Sequence, residues 1–97
     1  MIKPLTQNEL SNALAGLKDW QIIDGKLHRD LKFKSFVEAF GFMSSIAIVA
    51  ESQGHHPEWF NVYNRVTIDL VTHDAGGITN KDTELASIIN ELAKKFN

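Results

Sequence analysis

The sequence predicts an α+β fold with the element order α-β-β-α-β-β-α, in which a four-stranded antiparallel sheet has its helices packed on one face. Three segments begin with Ser or Thr followed three residues later by an acid, the signature of a helix N-terminus. Two pairs of β-like runs flank short polar turns, as antiparallel hairpins do. The 97 residues are expected to form a single domain, 1–97.

The predicted helices start at three sequence boxes, which are Thr6/Glu9, Ser35/Glu38 and Thr79/Asp82. In such a box the hydroxyl accepts from a backbone N–H of the first turn, while the carboxylate accepts from the N–H of the cap residue. The first helix is expected over roughly 7–16. The central helix is expected over 35–52 and should stop at Gly54.

The central helix carries more apolar side chains than one face can hold. One stripe consists of Phe36, Phe40, Met43 and Ala47, and a second consists of Phe42, Ile46 and Val49. A helix that is apolar on nearly all sides is buried on nearly all sides. One side is expected to face the sheet, and the other then needs a partner. We therefore expect a homodimer or homotetramer formed through the central helix, with the sheet edges as a second candidate contact.

Two hairpins are predicted. Asp24-Gly25 separates two alternating runs, and both residues tolerate the positive φ of a tight turn. Pairing across this turn sets Ile22 opposite Leu27. A second hairpin is expected to turn near Asn64, with its second strand running as far as His73.

Composition excludes several classes of protein. The net charge of −2 and the pI near 6.0 offer no basic surface for nucleic acid. The absence of cysteine excludes disulfides and thiolate chemistry. The longest nearly apolar run, 36–50, is too short to span a bilayer, and no apolar signal segment follows Met1. We expect a cytoplasmic protein with neither a nucleic-acid nor a membrane partner.

Three of the four histidines fall within one stretch of the chain. His55 and His56 are adjacent, and Pro57 after them favours extended geometry at His56, which makes a stiff corner. His73 ends a predicted strand that can return the chain to this corner. Imidazoles titrate near neutrality and are suited to proton transfer on a bound ligand. The fourth, His28, is expected to be a surface residue.

Spacing alone leaves three interpretations of the histidine pair open: a hydrogen-bonded polar corner, a metal site, or acid–base catalysis. No cysteine or carboxylate stands at a recognised metal-ligand spacing. Trp59 and Tyr63 offer flat surfaces for a planar ring, although core packing explains Trp59 equally well. Asp82 is accounted for by its capping box, and it can also orient a histidine.

The pattern Glu51, His55-His56-Pro57, Tyr63, His73 and Asp82 has three, five, nine and eight residues between successive members. This pattern resembles the signature of the pterin-4a-carbinolamine dehydratases. That family includes the dimerisation cofactor of a homeodomain transcription factor. The run 55–64 is also similar, and the resemblance covers essentially the whole chain because the family shares the element order.

The resemblance implies a hydro-lyase that converts 4a-hydroxy-tetrahydropterin to quinonoid dihydropterin and water. Such an enzyme supports pterin recycling for aromatic amino-acid hydroxylation. By the same resemblance, His55, His56 and His73 bind the pterin and move its protons, and Asp82 supports them. Which histidine acts as acid and which as base stays open.

The expected substrate-binding residues are Glu51, Pro57, Trp59 and Tyr63. No cofactor and no metal are expected, because protonation suffices for loss of the hydroxyl. The alternative is an oligomeric scaffold of the same fold, which binds a protein partner as a transcription cofactor without significant dehydratase activity.

Overall fold

Three helices and four strands follow one another in the computed structural model, which describes residues 2–96. The helices are α1 (Gln7–Ala15), α2 (Phe36–Gln53) and α3 (Asn80–Lys94). The strands are β1 (Gln21–Ile23), β2 (Lys26–Lys32), β3 (Glu58–Val62) and β4 (Arg65–Leu70), and a 3₁₀ turn, His73–Ala75, follows β4. The predicted α+β class and element order are confirmed.

The strands form one antiparallel sheet in the order β1-β2-β4-β3. The first hairpin turns at Asp24 and Gly25, whose φ angles of 53° and 75° are those of a tight two-residue turn. Ile22 stands opposite Leu27, which is the predicted register. The second hairpin turns at Tyr63-Asn64, where Tyr63 has a φ of 51°.

The two faces of the sheet have different surroundings. The face toward the helices carries buried side chains of the inner strands, namely Leu27, Leu31, Val66, Ile68 and Leu70. Helix α2 contacts this sheet at β4 and α3 contacts it at β2. The opposite side, here called the open face, carries Glu58, Phe60, Thr67 and Asp69. Phe60 is 66% exposed there.

His28 lies on the open face, as predicted, but it is not a freely exposed surface residue. Its Nδ1 lies 2.8 Å from an oxygen of Asp69, and its Nε2 lies 3.1 Å from an oxygen of Asp30. Only 16% of the side chain is exposed, because β2 is an inner strand with polar neighbours beside the ring. The hydrogen bond with Asp69 raises the pKa of His28.

Helix α2 begins after Ser35, whose hydroxyl accepts from the Glu38 N–H at 3.1 Å. The predicted capping box is only half formed here. Oxygen Oε1 of Glu38 is buried and has no hydrogen-bond partner within residues 2–96. At the other end Gly54, with a φ of 64°, stops the helix where the sequence predicts it.

The apolar side chains of α2 divide between the interior and the surface. Four of them are buried, namely Ala39, Phe42, Ile46 and Ala50. Four large ones are exposed, namely Phe36, Val37, Phe40 and Ile48, at 48%, 79%, 56% and 73%, and the smaller Ala47 is exposed as well. Met43, which shares the stripe of Phe36 and Phe40, is partly buried against the core. Along the described chain 2–96, no helix is both long and apolar enough to cross a membrane.

Candidate active site

The first turn of α3 is buried beside the end of β4. The carboxylate of Asp82 is 0% exposed, and its Oδ2 accepts from the Thr79 N–H at 2.9 Å. The Thr72 hydroxyl donates to the same oxygen at 2.8 Å. The Thr79 hydroxyl accepts from the Lys81 N–H at 3.2 Å and lies 2.7 Å from the Thr72 hydroxyl. The third predicted box therefore forms, and it occupies one oxygen of Asp82.

The other oxygen of Asp82 holds His55. Its Oδ1 lies 2.5 Å from His55 Nε2, and only 11% of the histidine side chain is exposed. His55 directly follows Gly54, and its N–H donates to the Ala50 carbonyl at 3.1 Å. A buried carboxylate is costly unless it is paired and hydrogen-bonded, and both oxygens of Asp82 have partners. This bond uses Nε2, and no side-chain hydrogen bond among residues 2–96 involves Nδ1 of His55.

Two further histidines make the same kind of pair. His56 Nε2 lies 2.8 Å from an oxygen of Glu51 in the last turn of α2. His73 Nε2 lies 2.9 Å from Oε2 of Glu58, the first residue of β3. Both of these histidines are exposed, at 62% and 73% of the side chain. All three predicted histidines thus bond a carboxylate through Nε2.

The three histidines line one cleft of about 290 Å³ between the ends of α2 and β4 and the start of α3. The remaining lining residues are Gly54, Val71, Thr72, Asp74 and Lys81. Ligand sites begin at roughly this size, about 300 Å³, so the cleft suits one small molecule. Its largely polar wall suits a heterocycle with several nitrogen and oxygen atoms. The described residues 2–96 contain no cluster of three His, Cys, Asp or Glu placed to hold a metal ion.

The route of the chain to His73 differs from the prediction. Strand β4 ends at Leu70, so the prediction that the strand continues to His73 is wrong. Thr72 instead pairs with Gly77 across a short loop, and its N–H donates to the Gly77 carbonyl at 3.0 Å. Gly76, with a φ of 74°, allows the chain to turn there and enter α3. This turn places His73 at the mouth of the cleft.

None of the four predicted substrate-binding residues lines the cleft, and Glu51 is connected to it only through its bond with His56. Trp59 stands opposite Ile68 on the helix-covered face and packs against the core. Pro57 is half-buried and shapes the corner between His56 and β3. Tyr63 lies at the far end of β3, roughly 20 Å of extended chain from Pro57, and is 64% exposed. Within one chain, Tyr63 therefore does not reach the cleft.

Three residues at this site were missed by the sequence analysis. Thr72 continues the inward-facing alternation of Ile68 and Leu70. A hydroxyl at an inward-facing position predicts a buried hydrogen-bond partner, so the sequence did contain a signal for Thr72. Glu58 and Lys81 gave no such sign. Their places at the cleft depend on contacts between elements that are distant in sequence.

Fold and site together define a small α+β protein with a polar cleft in which each of three histidines is bonded to a carboxylate. Residues 3–92 match the sequence model of the family described as pterin 4 alpha carbinolamine dehydratase. The chain belongs to this family.

Relatives in curated collections agree with this assignment. A provisionally named pterin-4-alpha-carbinolamine dehydratase of Solibacter usitatus is 55% identical over 96% of this chain and 98% of its own length. A relative of Prochlorococcus marinus with the same provisional name is 50% identical over 97% of this chain and all of its own.

Solved structures share the fold. A structure from Brucella melitensis, described as a transcriptional coactivator/pterin dehydratase, has a TM-score of 0.90 and 46% identity. It covers 94% of this chain and 99% of its own. A pterin dehydratase-like protein described as a RuBisCO assembly factor in the alpha-carboxysome has a TM-score of 0.63. With 23% identity over 76% of this chain and 86% of its own, it supports the fold alone.

Proposed function

We propose that the protein dehydrates a 4a-hydroxy-tetrahydropterin to quinonoid dihydropterin and water by histidine acid–base catalysis. The observation that carries this proposal is the cleft lined by His55, His56 and His73, each with its own carboxylate. The family and the names of the relatives support the pterin as substrate. The activity would return the pterin cofactor of aromatic amino-acid hydroxylases to its redox cycle.

The reaction breaks the C4a–O bond and forms a double bond between N5 and C4a. The leaving hydroxyl accepts one proton and departs as water, and N5 gives one proton to a base. An imidazolium can donate the proton to the leaving hydroxyl, and a neutral imidazole can accept the proton from N5. The pair of histidines then carries the same number of protons before and after the reaction. Asp82 bonds Nε2 of His55 and thereby fixes the orientation of a ring that lines the cleft.

A spectroscopic assay tests the function. When the 4a-carbinolamine is generated in solution, the protein is expected to accelerate its conversion to the quinonoid form. The rate should be unchanged after dialysis against a chelator, since proton transfer alone removes the hydroxyl. Failure to accelerate the conversion would refute the dehydratase. Loss of the acceleration after chelation, with recovery on adding a transition metal, would establish a metal site instead.

A second candidate function is protein binding, and the exposed side of α2 favours it. Val37, Phe40 and Ile48 place apolar surface on one helix, where an oligomer or another protein can cover it. The description of the Brucella melitensis protein as a coactivator is consistent with such a role. A protein that assembles through this surface but fails the dehydratase assay would be a scaffold.

We expect the chain to be a homodimer or homotetramer in which α2 forms a contact between subunits. Phe40→Glu should shift the sedimenting species to lower mass, because it places a charge on the exposed side of the helix. Phe60→Glu is the matched control, since Phe60 is at least as exposed as Phe40, 66% against 56%, but lies on the open face of the sheet. A monomeric wild-type protein at micromolar concentration would contradict the expectation, and dissociation by Phe60→Glu alone would place the contact on the sheet.

A further inference from the structure

Glu58 connects the candidate site to the open face of the sheet. Its Oε2 lies 2.9 Å from His73 Nε2, and its Oε1 accepts from Lys26 Nζ at 2.6 Å. Both oxygens of one carboxylate are thus engaged, one with a candidate catalytic residue and one with the ammonium of Lys26. Neither the histidine signature nor the capping boxes include Glu58 or Lys26.

The sheet order creates this arrangement. Glu58 opens β3 and Lys26 opens β2, with β4 lying between these two strands. The bond from Lys26 therefore crosses over β4, close to the point where the chain leaves the sheet for the turn that carries His73. Glu58 thus bonds both Lys26 and His73, and the backbone of Glu58 is itself held in the sheet by pairing with β4.

The carboxylate acts on His73 in two ways. A carboxylate that accepts the Nε2–H of a histidine fixes the orientation of the ring. The other nitrogen, Nδ1, can then bind a ligand, and carboxylates commonly hold functional histidines in this way. In general, an ionised carboxylate in contact with an imidazole also favours the imidazolium form of that ring. Lys26 weakens this effect on the histidine, because its positive charge partly offsets the negative charge of the same carboxylate. The hydrogen bond from Lys26, and then that from His73, holds the pKa of Glu58 below its usual value, so Glu58 stays ionised where histidine titrates.

We propose that Glu58, held in place by Lys26, is a positioning residue for His73 that orients its ring and stabilises its protonated form during the reaction. This inference rests on the proposed dehydratase function for its kinetic consequence. The contacts themselves can be tested without any activity.

The test uses two variants. Glu58→Gln keeps a hydrogen-bond acceptor but removes the negative charge. Lys26→Met removes the positive charge that bonds the carboxylate and leaves Glu58 unchanged. Asp30→Asn is the matched control, because Asp30 is a carboxylate on the open face that pairs with His28. Kinetics are measured across pH, and the His73 ring is titrated by NMR.

Glu58→Gln is expected to lower kcat/KM by roughly 3- to 10-fold, somewhat more than an exposed ion pair contributes, because bound substrate excludes water. It should move one inflection of the pH profile, and the midpoint of the His73 ring titration, to lower pH. Lys26→Met should move both to higher pH. Asp30→Asn should move neither.

The other charged or titratable groups around this histidine are Asp69, Asp74, Lys81, His55 and His56, and none is altered in these variants. Unchanged midpoints in both variants, or shifts in the same direction, would overturn the proposal. If the wild-type protein has no dehydratase activity, the NMR titration alone decides the positioning role, so the two failures are distinguishable.

Discussion

Alanine at His55, His56 or His73 is expected to lower kcat by roughly 10²- to 10⁴-fold, the range that positioned proton-transfer groups contribute. A histidine that only holds the ligand would instead raise KM. Combined substitutions should cost less than the product of the single effects, because groups that act on one transition state lose their function together. Steady-state kinetics on each folded variant measure these effects.

His28→Ala is the control for this series. His28 also bonds a carboxylate, but it lies on the open face and does not line the cleft, so its loss should leave kcat unchanged. Wild-type kinetics in all three cleft variants would show that the catalytic roles are assigned wrongly, even with the fold correct. The kcat/KM profile should inflect where imidazoles titrate, between about pH 5 and 8.

Asp82→Ala is expected to reduce both stability and activity. The substitution removes a helix cap and leaves the Thr79 N–H and the Thr72 hydroxyl buried without their acceptor. Together these losses should lower the free energy of unfolding by about 2–4 kcal/mol. Turnover per folded molecule should fall by roughly 10- to 100-fold, because His55 loses the group that orients it. Denaturant unfolding and kinetics corrected for the folded fraction measure the two effects.

Two variants separate the roles of Asp82. Asp82→Asn keeps an oxygen for the Thr79 N–H but places an amide beside His55, so it should spare much of the stability while still lowering turnover. Glu9→Ala removes the equivalent carboxylate from the exposed box of α1, where Glu9 Oε1 accepts from the Thr6 N–H at 2.8 Å. It should cost about 1 kcal/mol or less and leave turnover unchanged. Normal turnover per folded molecule in Asp82→Asn would leave Asp82 with a structural role only.

The element order was predictable because its signals are local. The box at Thr79 and Asp82, the Asp24-Gly25 turn and the Gly54 helix end each lie within a few residues, and each takes the expected form. Where a local signal competes with packing, the prediction is incomplete. Glu38 stands at the right spacing for a box, yet its carboxylate makes no return bond to the cap.

The candidate site was predictable only in part, because several of its contacts join distant elements. Spacing identified the histidines and Asp82, but the order β1-β2-β4-β3 was not contained in any local pattern. The contact of Lys26 with Glu58 across β4 follows from that order. The same limit applies to Tyr63, which the signature groups with the histidines although the strand carries it away from them.

The bond between Asp82 and the Thr79 N–H ties the start of a helix to the carboxylate that bonds His55 at the cleft. Proteins open locally as well as globally, and helix ends are among the first segments to open. Any molecule in which the first turn of α3 has frayed has also released the carboxylate that holds His55. We therefore expect the fraction of molecules with His55 in its bonded position to fall as this local opening becomes more frequent at higher temperature. Warming should therefore reduce activity before the sheet itself unfolds.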